Sequence, residues 1–325
     1  MPDQLTCHTF DSLDTSWEDL LCQSEMDTIF LTSGWQRLWW EHFGSEADLL
    51  LLSFHDGDDH IGIAPLQRRD DEIAFLGDTD LFDYHDFIVP SGAEGRFYPM
   101  LVDRLARESW ERLHFVSLPE GSPTLARLPG LASERGWTCA VEQEDVSPGV
   151  ALPSGWDEYL SLLTKKHRHE LRRKFRRLQG ATGVKTEACT SAEAVDARME
   201  EFFALMRLSR EDKGRFLTAE REGFFRTMAV GLAAQGLAHL WFLEVEGRAV
   251  AATLCFDYGN RRLLYNSGFD PEFGDLSVGL LLKATCIRDA IDRGMSYFDF
   301  LRGDEPYKYH LGGSDRPIYR MTVTR

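Results

Sequence analysis

Apolar positions near the start of the chain recur at helical spacing. Leu13, Trp17, Leu20 and Leu21 fall on one face, and Trp35, Leu38, Trp39 and Phe43 on another, behind Thr32 or Ser33 as N-cap. A hairpin follows: residues 49–54 are apolar, Asp56-Gly57 turns the chain and residues 61–66 return. Residues 73–76 predict a third strand and 78–86 an acidic, aromatic loop. A helix is predicted over 96–107, with Met100, Leu101 and Leu105 inward, and the next strand over 114–118.

A second segment repeats this order. Residues 239–245 predict a strand, Glu246-Gly247 a turn and 249–256 the return. Gly259-Asn260 turns again into a third strand, 262–266. A loop over 268–276 leads to a helix over 277–293, closed by Gly294, and then to a strand over 297–301. The shared order predicts a tandem duplication of one α/β unit, each with a mixed central sheet flanked by helices. Pro148, Gly149, Pro153, Ser154 and Gly155 mark residues 146–156 as a linker, giving an N-terminal unit over 1–147 and a C-terminal unit over 156–325.

Composition sharpens this picture. A chain of 325 residues with 43% hydrophobic and 12% aromatic content can build two cores. Its formal net charge of −17 disfavours broad contact with nucleic acid or anionic membranes, though not a local basic site. The six cysteines are scattered without a C-x-x-C pair, as expected of reduced thiols in cytosol. Met1-Pro2-Asp3-Gln4 has no leader pattern, and no apolar run reaches the roughly 18 residues of a membrane span. The expectation is a soluble, cytoplasmic protein. No G-K-[ST] loop, H-E-x-x-H or G-x-S-x-G motif occurs, and His167 and His169 have poor metal-ligand spacing, so no metal is expected.

Three segments remain as candidates for chemistry. The helix from Ser277 carries Gly279 and no acidic side chain in its first turn, which suits an anion such as pyrophosphate or a simply capped helix. The equivalent start in the first half, Ser91-Gly92-Ala93-Glu94-Gly95, places Glu94 where a phosphate would sit. Alternation in the strand at 297–301 puts Phe298 and Phe300 on one face and Asp299 on the other. That carboxylate either serves chemistry or caps a nearby turn. Arg302, Asp304, Tyr307 and Lys308 crowd beyond the strand's C-terminal end, where open α/β sheets hold ligands. Residues 165–178 form a strongly basic helix with Leu171, Phe175 and Leu178 on one face. It is either a solvated face or a dock for an anion, RNA or a membrane surface. The polar stretch 207–216 is read as a loop, shaping an acceptor pocket or only connecting elements.

Gly247-Arg248-Ala249-Val250-Ala251-Ala252, Tyr265-Asn266-Ser267-Gly268-Phe269-Asp270-Pro271, Ser277-Val278-Gly279 and the run from Phe298 to Lys308 resemble the acetyltransferase family associated with bacterial cellulose biosynthesis. That family lies in the GNAT superfamily and is similar to Fem-type peptidyltransferases. The resemblance is sharpest from about 156 to 309. It implies tandem GNAT folds and acyl transfer from acetyl-CoA or another acyl-CoA to an amine or hydroxyl. It also implies that Tyr265 and Asn266 line the pantetheine arm and that the backbone of Ser277, Val278 and Gly279 meets the pyrophosphate. The sequence offers Ser277-Val278-Gly279 in place of the superfamily loop R/Q-x-x-G-x-G/A, and the Fem-type relatives use aminoacyl-tRNA, a donor the basic helix also suits. Acyl transfer needs a base and an oxyanion site. Asp299 is the first candidate for base or orienting carboxylate, with Glu305 and His310 as alternatives. Tyr307 is the candidate proton donor to the leaving thiolate, and Lys308 with Arg302 would hold an anionic group. Arg168, Arg172 and Arg210 are further substrate-binding candidates. The alternatives are an aminoacyl-tRNA-dependent peptidyltransferase and a non-catalytic module that binds RNA or an anionic surface through residues 165–177. A sugar hydroxyl, a sugar amine, a lipid and a peptide amine all fit as acceptor, and the sequence specifies no oligomeric state.

Overall fold

The structure, a computed structural model, describes residues 6–7 and 9–325; the start of the chain, on which the leader expectation falls, lies outside the described residues. Two compact units are present: residues up to Val146 together with Arg316–Arg325, and Ser147–Asp315.

In the first unit, β1 (Thr6–Cys7), α1 (Phe10–Leu21) and α2 (Ser33–Phe43) precede the hairpin of β2 (Asp48–Asp56) and β3 (Asp59–Arg69). The Thr32 hydroxyl caps α2 by accepting the Trp35 N–H. Then come β4 (Glu72–Phe75), α3 (Glu94–Ala106), β5 (Arg112–Pro119), α4 (Pro123–Glu134) and β6 (Thr138–Val146). The antiparallel meander β2–β3–β4 is joined through α3 to β5, which lies parallel to β4. Phe54, Phe75, Phe87, Phe97 and Phe115 anchor the core against this sheet.

The second unit opens with β7 (Gly149–Ala151), α5 (Trp156–Leu162) and α6 (Lys165–Gln179). β8 (Lys185–Cys189), α7 (Ala192–Ser209), α8 (Glu211–Phe216) and α9 (Ala219–Ala234) follow. The repeat of the first unit then appears: β9 (Ala238–Val245), β10 (Arg248–Tyr258) and β11 (Arg261–Phe269) form the meander, α10 (Val278–Asp292) crosses, and β12 (Tyr297–Asp299) lies parallel to β11. The short helix α11 (Pro306–His310) completes the unit. Among the described residues its sheet has the order β7-β12-β11-β10-β9-β8. Gly294 ends α10 at φ +76°, as its position predicts.

Three expectations are corrected. Residues 149–151 are not plain linker but a strand paired with β12, and Gly149 leaves room for the Tyr297 ring against the backbone. The stretch 207–216 is helical rather than a loop, as α7 runs to Ser209 and α8 follows at once. The chain's last strand, β13 (Pro317–Thr324), does not extend the second unit: it enters the first unit's sheet between β5 and β6, antiparallel to both. Its buried Ile318, Met321 and Val323 share one face because the ladders shift register between the first two.

Candidate functional site

β11 sets the geometry of the second unit's site. It pairs with β12 only at Arg261–Leu263 against Tyr297–Asp299, then runs on to Phe269 with no strand on that side. Its ladder with β10 steps from Leu254↔Asn266 to Cys255↔Leu264, leaving Tyr265 as the extra residue of a bulge. A bulge sharpens local twist and re-aims side chains. The parallel pair therefore opens towards the strand's C-terminal end. Gly268 lets β11 approach the backbone of α7, because a Cβ there would collide with Leu205 C and Met206 N. Arg262, fully buried, locks β11 to α10: its guanidinium donates to Asp257 at 2.7 and 2.8 Å and to Asp289 at 2.8 Å.

Within the first unit, the corresponding space beyond β4 and β5 is filled by its own residues. Gln67 donates to the carbonyls of Phe75 and Gly77 at 3.0 and 2.8 Å. The His85 N–H takes the Ser117 carbonyl at 2.9 Å, with the His85 ring stacked on Phe75 and Phe82. At the start of α3 the Glu94 carboxylate accepts the N–H of Gly92, just before the helix, at 2.9 and 3.1 Å, and so adds negative charge there.

The start of α10 differs from both the capped and the glycine-opened expectation. Ser277 sits in the left-handed region at φ 56° and ψ 37°, and its side chain makes no capping hydrogen bond. Its hydroxyl instead accepts from the Lys174 ammonium of α6 at 3.1 Å. The first-turn N–H groups of Val278, Gly279 and Leu280 lack intrahelical acceptors by position. A Cβ on Gly279 would meet the Phe269 ring at 3.1 Å, so this glycine serves the packing of α10 on β11. Ala284, Ile287 and Ile291 are buried on one face with Leu280 partly so, and Lys283 is buried beside them.

At the end of β12 the chain turns sharply. Asp299 is 2% exposed, and its Oδ1 accepts the Leu301 N–H at 2.9 Å and the Ser147 hydroxyl at 3.3 Å. Leu301 is held at φ +59°. Lys308, 1% exposed, donates to the carbonyls of Leu301, Arg302 and Gly303 at 2.8, 2.6 and 2.9 Å and pairs with Glu305 at 2.9 Å. Burial opposes ionisation of Glu305, but Lys308 and then Lys213 outweigh it and hold the carboxyl below its ordinary range. Asp299 and Lys308 thus fold the 299–308 turn, and Arg302, half-buried, lies within it.

Side chains of α8, α10, α11 and β11 carry further candidate groups, while the basic candidates of α6 lie apart from this turn. Tyr307 on α11 lies under the Lys283 ammonium, 4.8 Å from its ring centre. Lys213 on α8 donates to Asn266 Oδ1 at 2.9 Å and to the Ser267 carbonyl. Burial, and then Lys283, push Lys213 down to about 7, with Glu305 pulling the other way. Burial likewise pushes Lys283 down to about 8. Arg210 is exposed and held by Asp212 at 2.9 and 2.7 Å, with Glu305 acting on it. Tyr265 packs on Phe225 and Phe256. Arg168 and Arg172 lie on α6, Arg168 donating to the Ser161 carbonyl at 3.5 Å. His310 stands edge-on to His167, and burial followed by that neighbour lowers its pKa.

Lys213 and Lys283 were missed in the sequence. Lys283 had a signal, a lone cation on an otherwise apolar helical face; Lys213, in a run of mixed charge, had none. Among the described residues no cluster of His, Cys, Asp or Glu is placed to hold a metal ion, and no helix is long and apolar enough to cross a membrane.

Residues 165–309 match the family described as acetyltransferase (GNAT) domain. Among solved structures the whole chain is similar to FemX, with TM-score 0.67 and 12% identity over 98% of this chain and 96% of that one. It is also similar to a conserved protein of unknown function from Bacteroides thetaiotaomicron, with TM-score 0.59 and 12% identity over 99% and 100% of the two chains. A tandem GNAT protein of the clavulanic acid biosynthesis pathway aligns at TM-score 0.50 and 14% identity, over 98% of each chain. No curated protein matches the chain. The fold is mixed α/β, with two mixed sheets flanked by helices and a tandem GNAT protein among its structural neighbours. The GNAT domain match supports an acyltransferase-type function.

Proposed function

We propose that the second unit transfers an acyl group from acyl-CoA, with acetyl-CoA the first candidate, to an amine or hydroxyl. The observation that carries this reading is the opening of β11 away from β12 beside the start of α10, where Lys174 adds positive charge. A thioester carbonyl laid along an open strand edge meets backbone donors, and a pyrophosphate suits a helix start with an adjacent cation. In this reading the C–S bond breaks, a C–N or C–O bond forms, and the acceptor's proton passes to a base. Lys213, rather than Asp299, is that base: burial holds its ammonium at about 7 and it lies beside Asn266 of the open strand, whereas Asp299 is 2% exposed and faces Leu301 and Ser147. Tyr307 hands a proton to the departing thiolate, and Arg302 and Arg210 border the acceptor. Lys308 acts by holding the turn. The first unit, with its own opening filled, would hold no donor. The reading implies a compartment that contains acyl-CoA, the cytoplasm, and the motif resemblance of residues 156–309 supports kinship with the cellulose-associated acetyltransferases.

The test is calorimetric titration with acetyl-CoA and longer acyl-CoAs, repeated on Lys174→Glu. This variant is preferred to a change at Gly279, which would disturb Phe269. Binding in the micromolar range, weakened about tenfold or more in the variant, is expected. Failure to bind any acyl-CoA would overturn the donor and favour an ester carried on tRNA, for which activity would be sensitive to RNase.

A further inference from the structure

The second unit carries a cavity of about 460 Å³ between α5, α6 and α10, with no residue of β11 in its lining. Its floor is aromatic: Trp156 stacks on Tyr159 with centroids 5.0 Å apart, and Phe175 stands edge-on to Trp156 at 6.3 Å. Its rim is cationic. His169, Arg172 and Arg176 recur at i, i+3 and i+7 on α6, so one helical face points at the cavity, and Arg288 of α10 adds a further charge. Asp157 is the lone carboxylate in the lining.

The pairing of the arginines of α6 separates the two faces. Arg173 has Glu170 at 3.6 Å and Arg177 has Asp275 at 3.7 Å. Among the described residues Arg172 and Arg176, over the cavity, have no carboxylate within ion-pair distance. In a chain with 53 acidic and 36 basic residues, two arginines without partners above an aromatic floor fit an anionic ligand from outside. Arginine forks match phosphate, and an aromatic floor takes a flat ring. The volume suits one small molecule bearing both.

We propose that this cavity binds a nucleoside monophosphate, its base against Trp156 and Phe175 and its phosphate on Arg172, Arg176 and Arg288. The site is separate from the start of α10. Arg288 follows Ser277 by eleven positions, which places it roughly 16 Å further along the helix axis.

Equilibrium dialysis of the full chain with AMP tests this, with adenosine and inorganic phosphate as partial probes. Saturable AMP binding is expected, about tenfold tighter than either partial probe, and weakened about tenfold by Arg172→Ala and again by Arg176→Ala. Both side chains are exposed, so unchanged melting temperatures are expected to accompany the loss. Binding that persists in saturating acetyl-CoA and in Lys174→Glu supports a separate site. Absent AMP binding, equal binding of phosphate alone, indifference to both arginine variants, or displacement by acetyl-CoA would each overturn it.

Discussion

The carboxylate of Asp299 accepts the backbone N–H of Leu301 at 2.9 Å, holding a leucine at φ +59° at the C-terminal end of β12. That conformation is unfavourable for a branched side chain and persists only where its surroundings enforce it. Asp299→Asn keeps an oxygen acceptor and is expected to retain activity within about threefold, whereas Asp299→Ala, which leaves the N–H without its partner, costs about 1–3 kcal/mol of stability and lowers turnover. Denaturant titration and steady-state rates on both variants decide the matter. Equal, deep losses of rate with intact stability in both would restore Asp299 as the base.

Lys213 gives the proposed reaction a pH signature. With its ammonium pushed down to about 7, the free amine accumulates as pH rises through that value, so kcat/KM should climb towards a plateau above it. Lys213→Met should flatten this limb and lower the plateau by roughly 10²- to 10⁴-fold. A folded-state pKa below the unfolded one means the native chain binds fewer protons between about 7 and the ordinary lysine range, so this residue makes stability rise with pH in that window. A rate profile unchanged in shape in the methionine variant would rule out Lys213 as base.

Gly268 and Gly279 should respond differently to alanine. At Gly268 the added carbon meets the α7 backbone, which cannot step aside, and a loss of about 3 kcal/mol is expected. At Gly279 it meets the Phe269 side chain, which can shift, and gains helix propensity, so the net change should stay within about 1 kcal/mol. Thermal unfolding of the pair checks the order; comparable melting temperatures would contradict it.

Asp86 of the first unit is fully buried, and burial pushes its carboxyl up to about 6 against hydrogen bonds from Ser122, Thr124 and the Phe87 N–H. The native chain therefore holds a proton there that the unfolded chain has lost between about pH 4 and 6, and stability contributed by Asp86 falls as pH rises across that window. The span is on the order of 3 kcal/mol. Relative to wild type, Asp86→Asn should gain stability steadily from pH 4 to 6. Parallel stability–pH curves for the two proteins would show the shift to be absent.

The repeated order of strands, hairpins and crossing helix was legible because each element carries its own periodicity and turn residues. Glu94 was legible as a negative charge in the first turn of α3, and its carboxylate turns back to the Gly92 N–H. What escaped depended on distant partners. Gly149 reads as linker until Tyr297 is placed beside it. Ser277 reads as a cap until Lys174 takes its hydroxyl. Lys308 reads as a free cation until three carbonyls of its own turn close around it. No local pattern marked residues 317–324 as belonging to the earlier sheet, since alternation fixes a face and not a neighbour.

The return of β13 to a place between β5 and β6 has a consequence for synthesis on the ribosome. Domains usually mature in the order they emerge. Here the earlier sheet must wait with β6 parted from β5 by an unfilled place, and the facing edges of both unmatched, until residues 147–315 have been translated. The second unit is thus the first that can finish folding, and nascent chains stalled before residue 317 would carry a complete later unit behind an incomplete earlier one.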